Sequence, residues 1–219
     1  MKYLYTLLLS LSSLCWLHAQ STSIADVWKS IPQQIVPTID SLSRLDMCDL
    51  YAAGMVAQAK TLWGDTAQIT FMGDSYISVR TSKASTMQIK IVGKGRNTLY
   101  AVITTTYGPA ANSHISFYNS KWQPLAAKKH FTPLTVADFI DLPAKEKKQR
   151  KDVANKIEIQ TITYQMCNEN DNITAHPTFM ECVDKDTRSQ IETLIYPSRT
   201  MERKGRKWKI VKIDPNKAP

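Results

Sequence analysis

The segment Thr98–Tyr107 is the longest run of β-branched and aromatic residues in this 219-residue chain. Such residues favour extended backbone, and the Gly108-Pro109 pair directly after them ends a strand. Neither face of the run is fully polar, so both faces are expected to contact protein. The segment therefore predicts a central strand in a sheet that is covered on both sides.

Four further segments have a strand-like composition, and turn residues separate them at intervals of about eight to twelve residues. This spacing is typical of consecutive antiparallel strands. In the first three segments apolar and polar residues alternate, so one face is expected to be buried and the other wet. The five predicted strands are residues 67–72, 76–81, 86–92, 98–107 and 113–118.

A long helix is predicted before these strands, over residues 43–63. Ser41 or Ser43 can cap its start, and Gly64 follows its end. Its apolar residues recur at alternating spacings of three and four, which places them in one stripe on a helix. The stripe consists of Leu45, Cys48, Ala52, Met55, Ala59 and Leu62.

The predicted fold class is α+β, with an N-terminal helix packed on an antiparallel meander of about five strands and a smaller C-terminal β-rich part. Residues 1–19 are predicted to be a signal peptide, and residues 20–142 the helix and the sheet. Residues 143–152 are predicted to be a charged linker. Residues 153–219 are the C-terminal β-rich part, which either stands apart or belongs to the same domain.

The first nineteen residues have the pattern of an export signal. Lys2 precedes an apolar run, and Ala19 offers a small residue at the cleavage point. The run is too short for a stable membrane span. Acylation of Cys15 is the alternative, although the bulky Leu14 precedes it. The sequence thus predicts a protein of the periplasm or cell envelope, or a secreted one.

Three cysteines follow this signal, and an odd number leaves at least one of them unpaired within the chain. Cys167 and Cys182 are the predicted disulfide pair, because closing a loop of about 15 residues would stabilise the fold by about 3 kcal/mol. Both can instead be reduced core residues. Cys48 lies on the apolar helix stripe and is expected to be a buried structural thiol.

The net charge is +9, and the basic residues are concentrated in Lys145–Lys151 and Arg203–Lys212. Nucleic acid is not predicted as a partner, because the chain has an export signal and lacks zinc-finger spacing and a stacking-aromatic motif. Peripheral attachment to an anionic surface is one interpretation of the first run, and a solvated linker is the other. The residues that would form this surface are Lys145, Lys147, Lys148, Arg150 and Lys151.

No constellation for catalysis, cofactors or metals is expected. The histidines lie near no G-x-S-x-G pattern, the seven glycines form no phosphate-binding loop, and Cys167, His176 and Cys182 match no zinc template. Asp46 and Asp49 are the candidate catalytic pair, since residues three apart share a helix face. A helix start also attracts carboxylates for electrostatic reasons alone.

Three aromatic residues at the ends of the meander are the candidate binding residues. Tyr107, Tyr118 and Trp122 could stack on a sugar ring or a peptide, or they could belong to the core at the sheet edge. The function expected from the sequence is a non-enzymatic binding or structural protein for a protein or glycan partner. The alternative is a hydrolase that acts on a cell-wall or glycan substrate.

A resemblance to a known family rests on four stretches: PTIDSLSRLDMCDLY at 37–51, STMQIKI at 85–91, YGPA at 107–110 and ISFYNSKWQPL at 115–125. In these stretches the chain resembles a family of exported proteins of unknown function from Bacteroides-type bacteria. The resemblance implies a periplasmic or cell-envelope location and no assigned activity. Such bacteria O-glycosylate exported proteins at Asp-Ser/Thr followed by an apolar residue, which implies Ser41 and Thr66 as glycosylation sites. Ser41 can instead be a helix cap.

Overall fold

The structure is a computed structural model that describes residues 22–93, 95–143 and 145–211, without the Arg96 side chain. The predicted signal peptide with Cys15 and the end of the basic run, Lys212, lie outside the described residues. The helices are α1 (Ile24–Ser30), α2 (Ser41–Ala52), α3 (Lys147–Asn155) and α4 (Lys185–Ile191). The strands are β1 (Gln58–Lys60), β2 (Thr66–Met72), β3 (Tyr76–Ser82), β4 (Ser85–Val92), β5 (Leu99–Thr106), β6 (Asn112–Tyr118), β7 (Pro124–Leu125), β8 (Thr163–Met166), β9 (Ile173–His176), β10 (Arg199–Lys204) and β11 (Lys207–Ile210).

A seven-stranded antiparallel sheet forms the centre of the fold, and its strands follow chain order from β1 to β7. The five predicted strands are confirmed as β2 to β6. The structure adds the short strands β1 and β7 at the two edges. Within the sheet, Ile103 of β5 lies between Gln88 of β4 and Ile115 of β6, so the predicted interior position of this strand is confirmed.

The helix α2 is shorter than predicted, because the chain leaves helical geometry soon after residue 52. Asp40 caps its start, accepting a hydrogen bond from the backbone N–H of Ser43 at 2.9 Å. Beyond its end, Gly54 has a φ of +69°, a left-handed conformation that favours glycine. The second half of the predicted helix is instead a turn followed by β1.

The predicted apolar stripe of this helix is wrong. Leu45, Met55 and Leu62 are exposed, whereas the buried positions of α2 are Arg44, Met47 and Cys48. Beyond Ala52, apolar residues continue by chance at spacings of three and four, but these residues form a turn and β1. The expectation that Cys48 is a buried thiol is confirmed, and burial raises its pKa.

Two apolar cores lie on opposite faces of the seven-stranded sheet, so the fold has three layers. The helices α1 and α2 cover one face, and a second sheet covers the other. The α+β class is therefore as predicted. The helix-side core includes Val27, Trp28, Met47, Ile77, Ile89 and Val102. The core between the sheets includes Ile103, Phe117, Phe179, Ile173, Met201 and Trp208.

The second sheet has four antiparallel strands in the order β11-β10-β9-β8. Its edge strand β8 packs on the first sheet. Side chains of the first sheet accept hydrogen bonds from backbone N–H groups of β8. The N–H of Tyr164 donates to Ser113 Oγ at 3.0 Å, and the N–H of Met166 donates to Gln88 Oε1 at 2.9 Å. A buried strand edge without partners would be destabilised. The C-terminal β-rich part therefore shares a core with the first sheet.

The predicted linker of residues 143–152 contains the start of α3 and is attached to the body of the protein. Arg150 donates hydrogen bonds to the carbonyl oxygens of Ala137 at 2.8 Å, Ile140 at 3.0 Å and Leu142 at 2.6 Å. A segment with three such bonds is not a free spacer.

The second sheet also buries part of the face of β4 that the alternation predicts to be wet. Gln88 is 9% exposed and Lys90 is 3% exposed. The Lys90 ammonium donates to the carbonyl oxygens of Cys167 at 2.6 Å and Asn168 at 2.9 Å. Burial lowers the pKa of Lys90, and the charge of Asp171 opposes this shift. The prediction of a wet face is wrong here, because a later part of the chain folds over these polar residues.

Candidate binding cleft

A polar cleft with a volume of about 330 Å³ opens between the two sheets. It lies beside β3, β4 and the end of β5 on one side and along β8 and β9 on the other. Hydroxyl, amide, aromatic and imidazole groups line it, and no Asp, Glu, Lys or Arg is among its lining residues. The polar lining residues are Tyr76, Ser78, Thr86, Gln88, Thr105, Tyr107, Thr163, Tyr164, Gln165, His176 and Thr178.

Gln88 lies at the floor of the cleft, where its side-chain amide makes three hydrogen bonds. Its Oε1 accepts hydrogen bonds from the Tyr76 hydroxyl at 3.2 Å and from the backbone N–H of Met166 at 2.9 Å. Its Nε2 donates to the carbonyl oxygen of Tyr164 at 3.4 Å. The Gln88 amide is thus hydrogen-bonded to residues of both sheets, which fixes its orientation.

Tyr107 forms one wall of the cleft, just after the end of β5. Its backbone N–H donates to the carbonyl oxygen of Ala84 at 2.8 Å, and its hydroxyl lies 3.2 Å from Thr86 Oγ1. The residue is nevertheless 49% exposed. An aromatic ring held at its backbone and its hydroxyl, with its surface accessible, is suited to stacking on a ligand.

The opposite wall comes from the β8–β9 hairpin and the residues that follow it. His176 ends β9 and pairs with Thr163 of β8. Thr178 Oγ1 donates to the carbonyl oxygen of Ala111 at 2.6 Å, which ties this wall to the loop before β6. Gln165 is exposed on β8, so its amide is free to face a ligand.

Among the described residues, no Asp, Glu, Lys or Arg side chain lines this cleft, and we call it the neutral cleft. Burial raises the pKa of both Tyr76 and Tyr164, so their hydroxyls stay protonated. Its lining residues include no carboxylate pair and no thiol. The arrangement therefore offers hydrogen-bonding groups and an aromatic ring that can bind a ligand.

Tyr118 and Trp122 lie at the other end of the sheet from Tyr107 and take no part in the cleft. The ring of Trp122 is 4.9 Å from that of Tyr100 and 5.5 Å from that of Tyr118, and its Nε1 donates to Ser30 Oγ at 3.3 Å. Trp122 is only 9% exposed. These contacts fit the core alternative for Trp122, with Tyr118 packed against the same core.

Asp46 and Asp49 are both on the solvent-exposed side of α2. Asp49 lies 3.9 Å from the Lys29 ammonium, and Asp40 provides the helix cap instead. Neither carboxylate lines the cleft. The structure thus places this candidate pair on an exposed face of α2, outside the cleft.

The two candidate glycosylation residues differ in accessibility. Ser41 is exposed in the first turn of α2, beside the capping Asp40. Thr66 is half-buried at the start of β2, where it pairs with Lys60. Glycosylation at either residue remains a prediction.

Cys167 and Cys182, the predicted disulfide pair, are both free thiols in the structure. Cys167 follows the end of β8, at the turn of the β8–β9 hairpin. Cys182 comes after the end of β9, beyond the open end of the same hairpin. The hairpin therefore holds the two residues at its opposite ends.

Four of the five residues predicted to form an anion-binding surface in the first basic run are exposed, and Arg150 is the exception. Arg150 is half-buried and engaged with carbonyl oxygens, whereas Lys145, Lys147, Lys148 and Lys151 are exposed. Binding of an anionic surface through these lysines remains a prediction.

Sequence analysis missed Gln88, Gln165 and His176 as lining residues of a cleft. The local signal was limited to polar residues that alternate with apolar ones on β4, which indicates only a wet face. Pairs such as Gln88 and Tyr164 are 76 residues apart in the chain. No local pattern indicates that they meet.

No helix within the described residues is both long and apolar enough to cross a membrane. Within the same residues, no group of three or more His, Cys, Asp or Glu side chains is arranged to hold a metal ion.

The fold defines a three-layer α+β protein with the neutral cleft between its sheets. The chain belongs to the family described as "Protein of unknown function (DUF3256)", whose model matches residues 16–208. A solved structure described as a domain of an uncharacterized protein from Porphyromonas gingivalis W83 is similar, with a TM-score of 0.75 and 17% identity. The similarity covers 87% of this chain and 100% of that one, and it shows the fold alone. None of the curated proteins compared with the chain matches it.

Proposed function

We propose that this protein is an exported, non-enzymatic binding protein of the cell envelope and that its cleft binds a short neutral glycan. The observation that carries the proposal is the lining of the cleft, which combines an anchored, accessible tyrosine ring with uncharged amides and hydroxyls. The export signal read from residues 1–19 supports the location.

The chemistry of a sugar ring matches this lining. One face of the ring presents C–H groups that pack on an aromatic side chain, and its hydroxyls exchange hydrogen bonds with amides and hydroxyls. A charged ligand would find no opposite charge among the lining residues and would lose its hydration. The volume of about 330 Å³ is near the lower end for ligand pockets, which favours a ligand of about one or two rings.

Tyr107→Ala is expected to weaken glycan binding about tenfold, which corresponds to about 1.4 kcal/mol of binding free energy. The substitution removes the stacking surface and leaves the buried floor intact. Isothermal titration calorimetry with neutral disaccharides of glucose, mannose, xylose and N-acetylglucosamine measures the effect on whichever sugar binds the unaltered protein.

Trp63→Ala is the matched control, because Trp63 is 79% exposed and does not line the cleft. It should leave the dissociation constant unchanged. Equal weakening by both substitutions would contradict the assignment of the ligand to the cleft. If none of these sugars binds, and crosslinking in the host envelope enriches one protein, the partner is a protein and the glycan proposal fails.

The proposed location has its own test. Expression in a Gram-negative host should place the protein in the periplasmic or envelope fraction, with a mature N-terminus near Gln20. Protein sequencing of that fraction would identify the terminus, whereas acylation would leave Cys15 as the first residue. A full-length chain that stays with the cytoplasmic fraction would contradict export.

A further inference from the structure

A second cleft, with a volume of about 280 Å³, lies at the opposite end of β5 from the neutral cleft. Its lining brings the start of β5 and the segment around Asn119 together with the β10–β11 hairpin. Strand β5 has eight residues and is about 23 Å long, and the two clefts lie toward its opposite ends. The residues that matter for its chemistry are Asn97, His130, Arg203 and Arg206.

Arg203 is held firmly at this cleft. Its Nη1 donates to Asp171 Oδ2 at 3.1 Å, and its guanidinium lies 5.7 Å from the centre of the Trp208 ring. Its Nε is buried and has no hydrogen-bond partner. A Cβ atom added at Gly93 would come 3.5 Å from its Nη2, so the guanidinium lies against the backbone that precedes β5.

Arg206 supplies a second guanidinium from the tip of the same hairpin. It is exposed, and no ion pair joins it to a described acidic residue. Asp171 is the carboxylate that faces Arg203 and neutralises one of the two charges. The cleft therefore keeps net positive charge.

His130 also lines this cleft. Its ring packs on Phe117 with a centroid distance of 5.2 Å, and its carbonyl oxygen accepts a hydrogen bond from the Trp208 backbone N–H at 3.0 Å. Its Nδ1 is buried and has no hydrogen-bond partner. Burial lowers the pKa of His130, a hydrogen bond with the Arg206 backbone opposes this shift, and the positive charges of Arg203, Arg206 and Lys129 lower the pKa further.

We propose that this second cleft is an anion site that binds a phosphate group between Arg203, Arg206 and His130. Guanidinium groups match the oxygens of phosphate in bidentate geometry. A phosphate also offers more acceptor oxygens than a carboxylate, so it can engage donors from the β10–β11 hairpin and from His130 together. The site differs from the neutral cleft in position and in chemistry, and it does not rest on the proposed function.

The test is a titration of the protein with inorganic phosphate, followed through the imidazole resonances of His130 by NMR at constant ionic strength. The His130 signals should shift saturably, and the pKa of His130 should rise, because a bound anion favours the imidazolium. His114 and His176 lie outside this cleft and serve as internal references. A linear, unsaturated shift or none at all would overturn the proposal.

Arg206→Ala should weaken phosphate binding about tenfold, since it removes a charged hydrogen-bond donor. Lys209→Ala is the matched control, because Lys209 is an exposed cation on the same hairpin that does not line the cleft. Equal weakening by both substitutions would show a diffuse effect of charge and would overturn the site. Tighter binding of glucuronate than of phosphate would overturn the choice of a phosphate group.

Two arms of the experiment distinguish the source of the phosphate. Cosedimentation with phosphatidylglycerol vesicles, absent with phosphatidylcholine alone and lost in Arg206→Ala, would identify a lipid headgroup. Saturation by inorganic phosphate without cosedimentation would identify a soluble phosphate. Either result supports the site when inorganic phosphate also shifts the His130 signals saturably, and absence of that saturable shift overturns it, whatever the neutral cleft binds.

Discussion

Arg44→Met should lower the free energy of unfolding by about 3 kcal/mol, because it leaves buried carbonyl oxygens without donors. Arg44 is 3% exposed. Its guanidinium donates to the carbonyl oxygens of Ile39 at 2.6 Å and Ile31 at 2.8 Å, and to Gln33 Oε1 at 3.2 Å. These bonds hold the loop between α1 and α2 against the helix. Chemical denaturation followed by far-ultraviolet circular dichroism measures the loss.

Arg80→Met is the matched control for this prediction. Arg80 is exposed on β3, and its Nη2 donates to Gln68 Oε1 at 2.8 Å. Removing a surface contact of this kind should change the free energy of unfolding by less than about 0.5 kcal/mol. Similar losses for the two variants would mean that the buried bonds of Arg44 contribute no more than a surface pair.

Phe117→Ala is expected to destabilise the protein by about 3–5 kcal/mol, the range for removal of a buried aromatic ring. Phe117 is 1% exposed and lies between the two sheets. Its ring centre is 5.5 Å from that of Trp208 and 5.2 Å from that of His130. The substitution opens a cavity where the second sheet packs on the first, and thermal or chemical denaturation quantifies the effect.

Phe71→Ala provides the comparison, because it removes the same ring from a position that is 38% exposed. Phe71 lies 5.8 Å from Tyr76 at the edge of the packing. Its substitution should cost less than about 1.5 kcal/mol, since less apolar surface returns to water. If the Phe71 variant loses as much stability as the Phe117 variant, the core between the sheets is not the main source of stability.

The sequence predicted the meander well because strand signals are local. Alternation along residues 67–92 and the turn residues between segments depend only on near neighbours, and they led to β2, β3 and β4. The same kind of signal failed for α2. A stripe with helical spacing ran on from Ala52 to Leu62, although the chain turns at Gly54 and pairs as β1.

The candidate site was only partly within reach of the sequence. Tyr107 was identified as an aromatic residue at a strand end, and the structure places it in the wall of the neutral cleft. Its neighbours across the cleft, such as Gln165 and His176, come from the second sheet. Trp122 carried the same local signal as Tyr107 and packs against the helix-side core instead.

The sequence by itself determined the fold class, the order of the central strands and the polar character of one face of β4. The tertiary structure alone decided that the second sheet lies on that face, which buries Lys90 and encloses Gln88. It also brought Arg203 and Arg206 to His130 across more than seventy residues of chain. Local backbone preferences act over a few residues, whereas a cleft depends on which distant apolar surfaces pack together.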